Sequence, residues 1–327
     1  MHLRRRSLIL AGTAAAALVA LGAVPGARAP RAQERRHDPL DLDAFDATRG
    51  RPVPMRLYLP RAATAARPAP LVVFSHGIGG SRAGYGWLGT HWADEGFASL
   101  HLQHVGSDRS LWGAGSPFAL VERLQAAARA DEAIARVGDL RFALDTVLGG
   151  PLAERLDADR VVAAGHSYGA NTTLLAAGAR VERDGRPVDL AEPRIRAAIA
   201  ISAPPFYGAP SPRPILEPVR LPSLHVTATD DVIRIPGYWS GAEDRVAVFD
   251  AVGGERKVLA VFAGGSHSMF TDRAAPGGFE LNARVKSATR ELTTAFLRGV
   301  LDGDDGGVLR EWPLRHAAIL ARFVAPA

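Results

Sequence analysis

One pentapeptide in this chain has the residue types and spacing of a nucleophile on a tight turn: Gly165-His166-Ser167-Tyr168-Gly169. A serine hydroxyl attacks at neutral pH only if a base takes its proton and an acid orients that base. Gly-x-Ser-x-Gly suits the task when a strand leads in and a helix leads out. The serine then sits on a strained turn, and the flanking glycines let strand and helix approach without side-chain collision. Here the apolar β run Arg160 to Ala164 precedes the motif and a small-residue helix from about Ala170 follows it. Ser167 also falls at a helix N-terminus, where free N–H groups and the dipole favour developing negative charge. The pentapeptide alone is weak evidence; this context, and its single occurrence, give it weight.

The best-placed base is His267, in the loop Ala263-Gly264-Gly265-Ser266-His267-Ser268 directly after the last core strand, where glycines allow an imidazole to fold back over the turn. His76, His91, His101, His104, His166 and His225 lie before the serine, beside it or inside a strand, and read as structural. The orienting acid is one of two neighbours, Asp230 or Asp231, at the end of the strand Ser223 to Ala228. Ser75-His76-Gly77-Ile78-Gly79-Gly80 follows another strand end, where a backbone N–H can point at a tetrahedral oxygen; Ile78 supplies one such donor and Tyr168 the other. No Gly-Lys-Ser/Thr accompanies these glycines, which argues against a phosphate-cradling nucleotide loop. His101 and His104 are three apart on a strand-like segment and face opposite ways, so no metal site is assigned.

These groups need a scaffold that brings strand ends together. From about residue 52 short apolar runs alternate with amphipathic ones, the pattern of a mostly parallel sheet with helices on both faces. Val53, Met55, Leu57 and Leu59 read as an early half-buried strand. Leu71–Phe74, Ala98–Val105, Arg160–Ala164, Ile195–Ile201, Ser223–Ala228 and Lys257–Phe262 read as the central strands. Trp87–Phe97, Ala133–Leu148, Ala170–Ala179, Ser240–Val252 and Leu281–Leu301 carry apolar residues at helical spacing. Ser107–Ala130 and the proline-rich Ala203–Leu221 break the alternation and read as short insertions over the active-site edge, walling a pocket beyond the carboxyl ends of the strands. Trp112, Phe206, Tyr207, Trp239 and Met269 are the candidates for an apolar acyl or alcohol pocket, with plain core or loop packing the alternative for each.

Composition bounds the rest. The 327 residues are 47% hydrophobic and 22% charged, which excludes disorder and suits one large α/β domain. Arg4-Arg5-Arg6 precedes an apolar run from Leu8 to Val24 and small residues near Ala27 and Ala29. That order matches a signal peptide over residues 1–32, with cleavage between 27 and 32, and leaves a domain of 33–327. Arg5-Arg6-Ser7-Leu8-Ile9 has the paired arginine and apolar pair of a twin-arginine export signal, with an ordinary Sec signal or an uncleaved anchor as the alternative. These 32 residues hold five arginines and no acid, so removing them takes the formal charge from +5 to zero. The exported protein then has no electrostatic attraction to nucleic acid or to anionic membranes. The absence of cysteine excludes disulfides, thiolate metal ligands and a cysteine nucleophile.

With these residues in place, the chain from about 50 to 300 resembles secreted α/β-hydrolases related to platelet-activating-factor acetylhydrolases and predicted dienelactone hydrolases. The resemblance rests on Phe74-Ser75-His76-Gly77-Ile78-Gly79-Gly80-Ser81-Arg82, Gln103-His104-Val105-Gly106-Ser107-Asp108, the elbow around Ser167, Thr229-Asp230-Asp231 and Gly265-Ser266-His267. It implies the α/β-hydrolase fold and cofactor-free hydrolysis of a small or lipid-like ester through an acyl-serine. Strand ends of this architecture often read small-x-x-Asp, which places Ala228 three before Asp231 and favours Asp231 over Asp230. The dienelactone branch uses a cysteine nucleophile; this chain has none, so that branch's substrate does not carry over. A lipase, a polyester hydrolase, an acyltransferase or a non-catalytic relative would share the same pattern.

Overall fold

The computed structural model describes residues 36–113, 115–183, 185–272, 278–303 and 307–326. The expected export segment, residues 1–32, lies outside them. The chain runs β1 (His37–Asp46), β2 (Arg51–Pro60), β3 (Ala69–Ser75), α1 (Gly86–Asp94), β4 (Ala98–Leu102), α2 (Pro117–Ala127), α3 (Ala130–Leu148), β5 (Leu156–His166) and α4 (Tyr168–Ala176). It continues through the hairpin β6 (Val181–Arg183) and β7 (Arg186–Val188), then β8 (Ile195–Ile201), the single turn α5 (Arg213–Leu216) and β9 (Ser223–Asp230). A second hairpin, β10 (Ile233–Ile235) and β11 (Tyr238–Ser240), leads to α6 (Ala242–Ala251), β12 (Lys257–Ser266), α7 (Phe279–Leu301), α8 (Gly307–Arg315) and β13 (Leu320–Val324).

Among the described residues, nine strands form one sheet in the order β1-β2-β4-β3-β5-β8-β9-β12-β13. From β4 to β12 neighbouring strands are parallel; β1 and β2 at one edge and β13 at the other are antiparallel. Parallel strands are covered on both faces and therefore read as continuous apolar runs. The side chains of β3 show how: Leu71 and Val73 pack with Val137, Leu140 and Leu144 of α3 and Leu174 of α4, whereas Val72 and Phe74 pack with Leu88 and Trp92 of α1 and Leu292 of α7. Successive residues serve opposite layers because a strand has period two. The large buried indoles also satisfy their polar ends: Trp92 Nε1 donates to Thr293 Oγ1 at 3.1 Å and Trp312 Nε1 to the Ala288 carbonyl at 2.9 Å.

The expected central strands and helices are present, most of them longer than their apolar runs by one to four residues at an end, whereas the expected Ala98–Val105, Trp87–Phe97, Ala170–Ala179 and Ser240–Val252 overreach the observed elements by one to three residues at an end. The edge strands β1 and β13, the hairpins β6–β7 and β10–β11, and α8 are additions to that expectation. Ser107–Ala130 contains a 3-10 turn, Arg109–Trp112, and α2, whose N-cap Ser116 accepts the Ala119 N–H at 3.2 Å. Ala203–Leu221 contains only α5. Among the described residues no helix is long and apolar enough to cross a membrane.

Candidate active site

The elbow is built from backbone collisions that only glycine avoids. β5 runs directly into α4, and Ser167 at the junction has φ 55° and ψ −124°, a strained conformation for a side-chain-bearing residue. Its N–H is held by the Ile201 carbonyl at 2.8 Å, and its own carbonyl accepts the Ala170 N–H at 2.8 Å, so the surrounding sheet and helix impose the strain. A Cβ at Gly165 would overlap the Gly169 backbone, and one at Gly169 would overlap the Ser75 carbonyl. Ser167 is thereby lifted to the carboxyl edge of the sheet, with its side chain on the wall of a cleft.

The sheet brings the partners to this point. His267 begins a 3-10 turn directly after β12, and Asp231 follows β9, the neighbouring parallel strand. His267 Nε2 lies 2.8 Å from Ser167 Oγ, and Nδ1 lies 2.6 Å from Asp231 Oδ1. These two bonds assign the tautomer: Nδ1–H donates to the carboxylate and Nε2 accepts the serine proton. Asp231 is fully buried. Its second oxygen accepts from Thr227 Oγ1 at 2.8 Å, and Arg245 Nε lies 3.5 Å from Oδ1. Burial works against the anion, but the hydrogen bond and charge of His267, with Arg245 behind it, outweigh that and hold the carboxyl well below the usual carboxylate range. Asp230, in contrast, is exposed and accepts from Thr229 Oγ1 at 3.3 Å.

Opposite the elbow lies the loop after β3. The Gly79 N–H is taken by the Ser107 carbonyl at 2.8 Å and the Gly80 N–H by the Gly77 carbonyl at 3.0 Å. Among the described residues the Ile78 N–H has no such partner, and Ile78 lines the cleft. Tyr168 is the first residue of α4, so its N–H has no intrahelical acceptor. Trp112 folds over the loop, its indole donating to the Gly79 carbonyl at 2.8 Å.

Beneath the loop, Arg136 of α3 is fully buried. Its guanidinium donates to Thr172 Oγ1 at 2.9 Å, to Ser107 Oγ at 2.9 Å and to the His76 carbonyl, and it stacks 4.5 Å from the Tyr168 ring centre. One cation thus ties the loop to the first turn of α4. Burial pulls it down to about 10, so it stays charged at neutral pH.

The histidines read as structural have other partners. His166 accepts from Tyr85 Oη at 2.8 Å and donates from Nε2 to the His267 carbonyl at 3.1 Å, fixing the backbone that carries the base. His104 pairs with Asp139 at 3.0 Å, and His101 contacts the Gly84 carbonyl and Ser99. His76 Nδ1 donates to the Gly77 carbonyl at 2.7 Å, His225 contacts Ser223 and His91 contacts Thr294. Arg136, Arg245 and the supporting part of His166 were not readable in the sequence: an arginine on a helix carries no mark of what it will face.

The cleft is large, about 1630 Å³, and both irregular stretches wall it, through Arg109–Gly113 and Pro204–Pro210 among others. Trp112, Phe206 and Tyr207 line it as expected. Met269 and Trp239 do not. Met269 is fully buried, with its sulfur against Gly265, and Trp239 points outward on β11, where its neighbour Tyr238 takes the lining position.

In fold this molecule is an α/β-hydrolase, with a serine, a histidine and an aspartate linked in that order at the carboxyl edge of the sheet. Residues 61–114 match the family described as platelet-activating factor acetylhydrolase, isoform II. That span holds β3, the Ile78 loop and the Gln103–Asp108 segment, and ends before the elbow. Among solved structures, a ferulic acid esterase from Streptomyces cinnamoneus aligns with a TM-score of 0.62 and 22% identity, over 90% of this chain and 98% of that one. No curated protein matches the sequence.

Proposed function

We propose that this protein hydrolyses carboxylic esters through an acyl-serine intermediate. Ser167 Oγ attacks the ester carbonyl while His267 Nε2 takes its proton. Asp231 holds the imidazole and balances its positive charge, and the N–H groups of Ile78 and Tyr168 receive the oxyanion. The leaving alcohol takes its proton from His267; water then attacks the acyl-serine by the same route and releases the acid. The observation that carries this reading is the unbroken pair of bonds, 2.8 Å and 2.6 Å, from serine to histidine to buried aspartate. The acetylhydrolase match and the likeness to a ferulic acid esterase support it. The paired arginine and apolar run at the N-terminus support export by the twin-arginine route, to the periplasm or beyond the cell.

The test is turnover of short p-nitrophenyl esters. Ser167→Ala should lower it by on the order of 10⁴-fold while the protein stays folded. Wild-type turnover in that variant would remove Ser167 from the mechanism.

A further inference from the structure

In the first turn of the helix that follows the nucleophile, two polar atoms end without a partner among the described residues. Tyr168 Oη and Asn171 Oδ1 are both buried, and among the described residues neither meets a hydrogen-bonding group. Both residues line the cleft, and Asn171 is only 7% exposed. They are three apart on α4 and so lie on the same side of the helix, with Asn171 about 6 Å along the axis from Ser167. The same cleft is lined by apolar Leu175 on the next turn, Ala133 and Ile134 of α3 and Val181 and Val188 of the β6–β7 hairpin, with Arg180 and Glu182 beside Val181.

Folds rarely leave buried polar atoms unmatched, because the loss of water is then uncompensated. Here a simple rearrangement is blocked on one side: the Arg136 guanidinium lies over the Tyr168 ring and keeps it where it is. The two atoms are chemically complementary. Burial pushes the Tyr168 phenol up, so it keeps its proton and donates. Asn171 Oδ1 can only accept. A carboxylate offers Asn171 no hydrogen, and an ammonium leaves the Tyr168 hydrogen unmatched. A hydroxyl accepts from one and donates to the other.

We propose that Tyr168 Oη and Asn171 Oδ1 form a hydroxyl-reading subsite in the cleft, so that the preferred ester carries a free hydroxyl a few atoms from its scissile carbonyl. This proposal rests on the ester-hydrolase reading above.

The experiment measures binding in the Ser167→Ala protein by calorimetry, so that it needs no turnover. Two isosteric pairs are compared: methyl 6-hydroxyhexanoate with methyl heptanoate, and 4-hydroxybutyl acetate with pentyl acetate. The hydroxylated member of at least one pair should bind about 5- to 50-fold tighter, as two new hydrogen bonds to buried atoms imply. The pair that shows it identifies the acyl or the alcohol side. Adding Tyr168→Phe or Asn171→Leu should bring that ratio toward one. Tyr168→Phe keeps the shape of the ring, so the test stands even if Asn171→Leu fails to fold. Equal binding within both pairs, or no measurable binding of either hydroxylated ester, overturns the subsite; an ordered water would then satisfy the two atoms. A preference that survives Tyr168→Phe also overturns it. A wild-type protein that binds with this preference but turns over no ester would instead count against the hydrolase reading.

Discussion

Acid should unfold this protein well before its carboxylates titrate, because burial holds five histidines neutral. His101 is pulled down to about 4, and His166 and His225 to about 3 each. His76 and His104 also lie well below the ordinary range, burial being the largest cause for both. In the unfolded chain each would titrate near 6.5, so the unfolded state takes up protons that the native state refuses. The sign follows: this stabilisation is fully present above about pH 6.5 and is lost as pH falls toward the folded values. Between pH 7 and pH 5, each of the three histidines with a stated value forfeits about 2 kcal/mol, roughly 6 kcal/mol together. That is comparable with a typical total stability of about 5–15 kcal/mol. Glu132 and Asp139, whose carboxyls burial pushes up, act with the opposite sign, but they are two groups against these five and His91, which burial also lowers. The assay is urea unfolding followed by tryptophan fluorescence at pH 7, 6 and 5, at constant ionic strength. Stability should fall steeply, with uptake of about three or more protons on unfolding. A flat profile from pH 7 to 5, or uptake of less than one proton, would refute the reasoning.

Other consequences are as direct. Asp231→Asn should lower kcat far more than Asp230→Asn, by on the order of 10⁴-fold, because only Asp231 meets His267; steady-state kinetics of the two variants checks the ranking. Gly169→Ala should abolish activity and lower Tm by several degrees, since the new methyl would overlap the Ser75 carbonyl; a fully active, equally stable variant would mean the elbow relaxes. Replacing Arg5 and Arg6 by lysine should leave precursor in the cytoplasm, because the twin-arginine receptor reads the pair itself whereas a Sec signal needs only charge. Unchanged processing on an immunoblot of cell fractions would favour the Sec route.

The central strands were legible because burial on both faces leaves them as unbroken apolar runs, as in Ile195–Ile201. The edges were not. β1 alternates exposed Asp38, Asp41 and Asp43 with half-buried Leu40 and Leu42, so it lacks the apolar run that marks an interior strand. β13 is five residues long and follows a helix with an internal proline. The positions of Ser167, Asp231 and His267 were readable from where strands end, since parallel neighbours bring their carboxyl ends together. The arginines behind them were not, because the meaning of Arg136 and Arg245 comes only from what the fold sets against their guanidinium groups. Trp239 and Met269 could not be separated from the lining residues for a related reason: an aromatic or thioether side chain in a loop reads the same whether it lines a cleft, fills the core or faces solvent.

The most direct measurement of the central claim is labelling with a fluorophosphonate, which reacts with a serine only where a base and an oxyanion site activate it. Intact-mass analysis should show one adduct per chain, peptide mapping should put it on Ser167, and both adduct and p-nitrophenyl ester turnover should vanish in His267→Ala. An adduct on another serine, or an unlabelled protein that still hydrolyses the ester, would contradict the account.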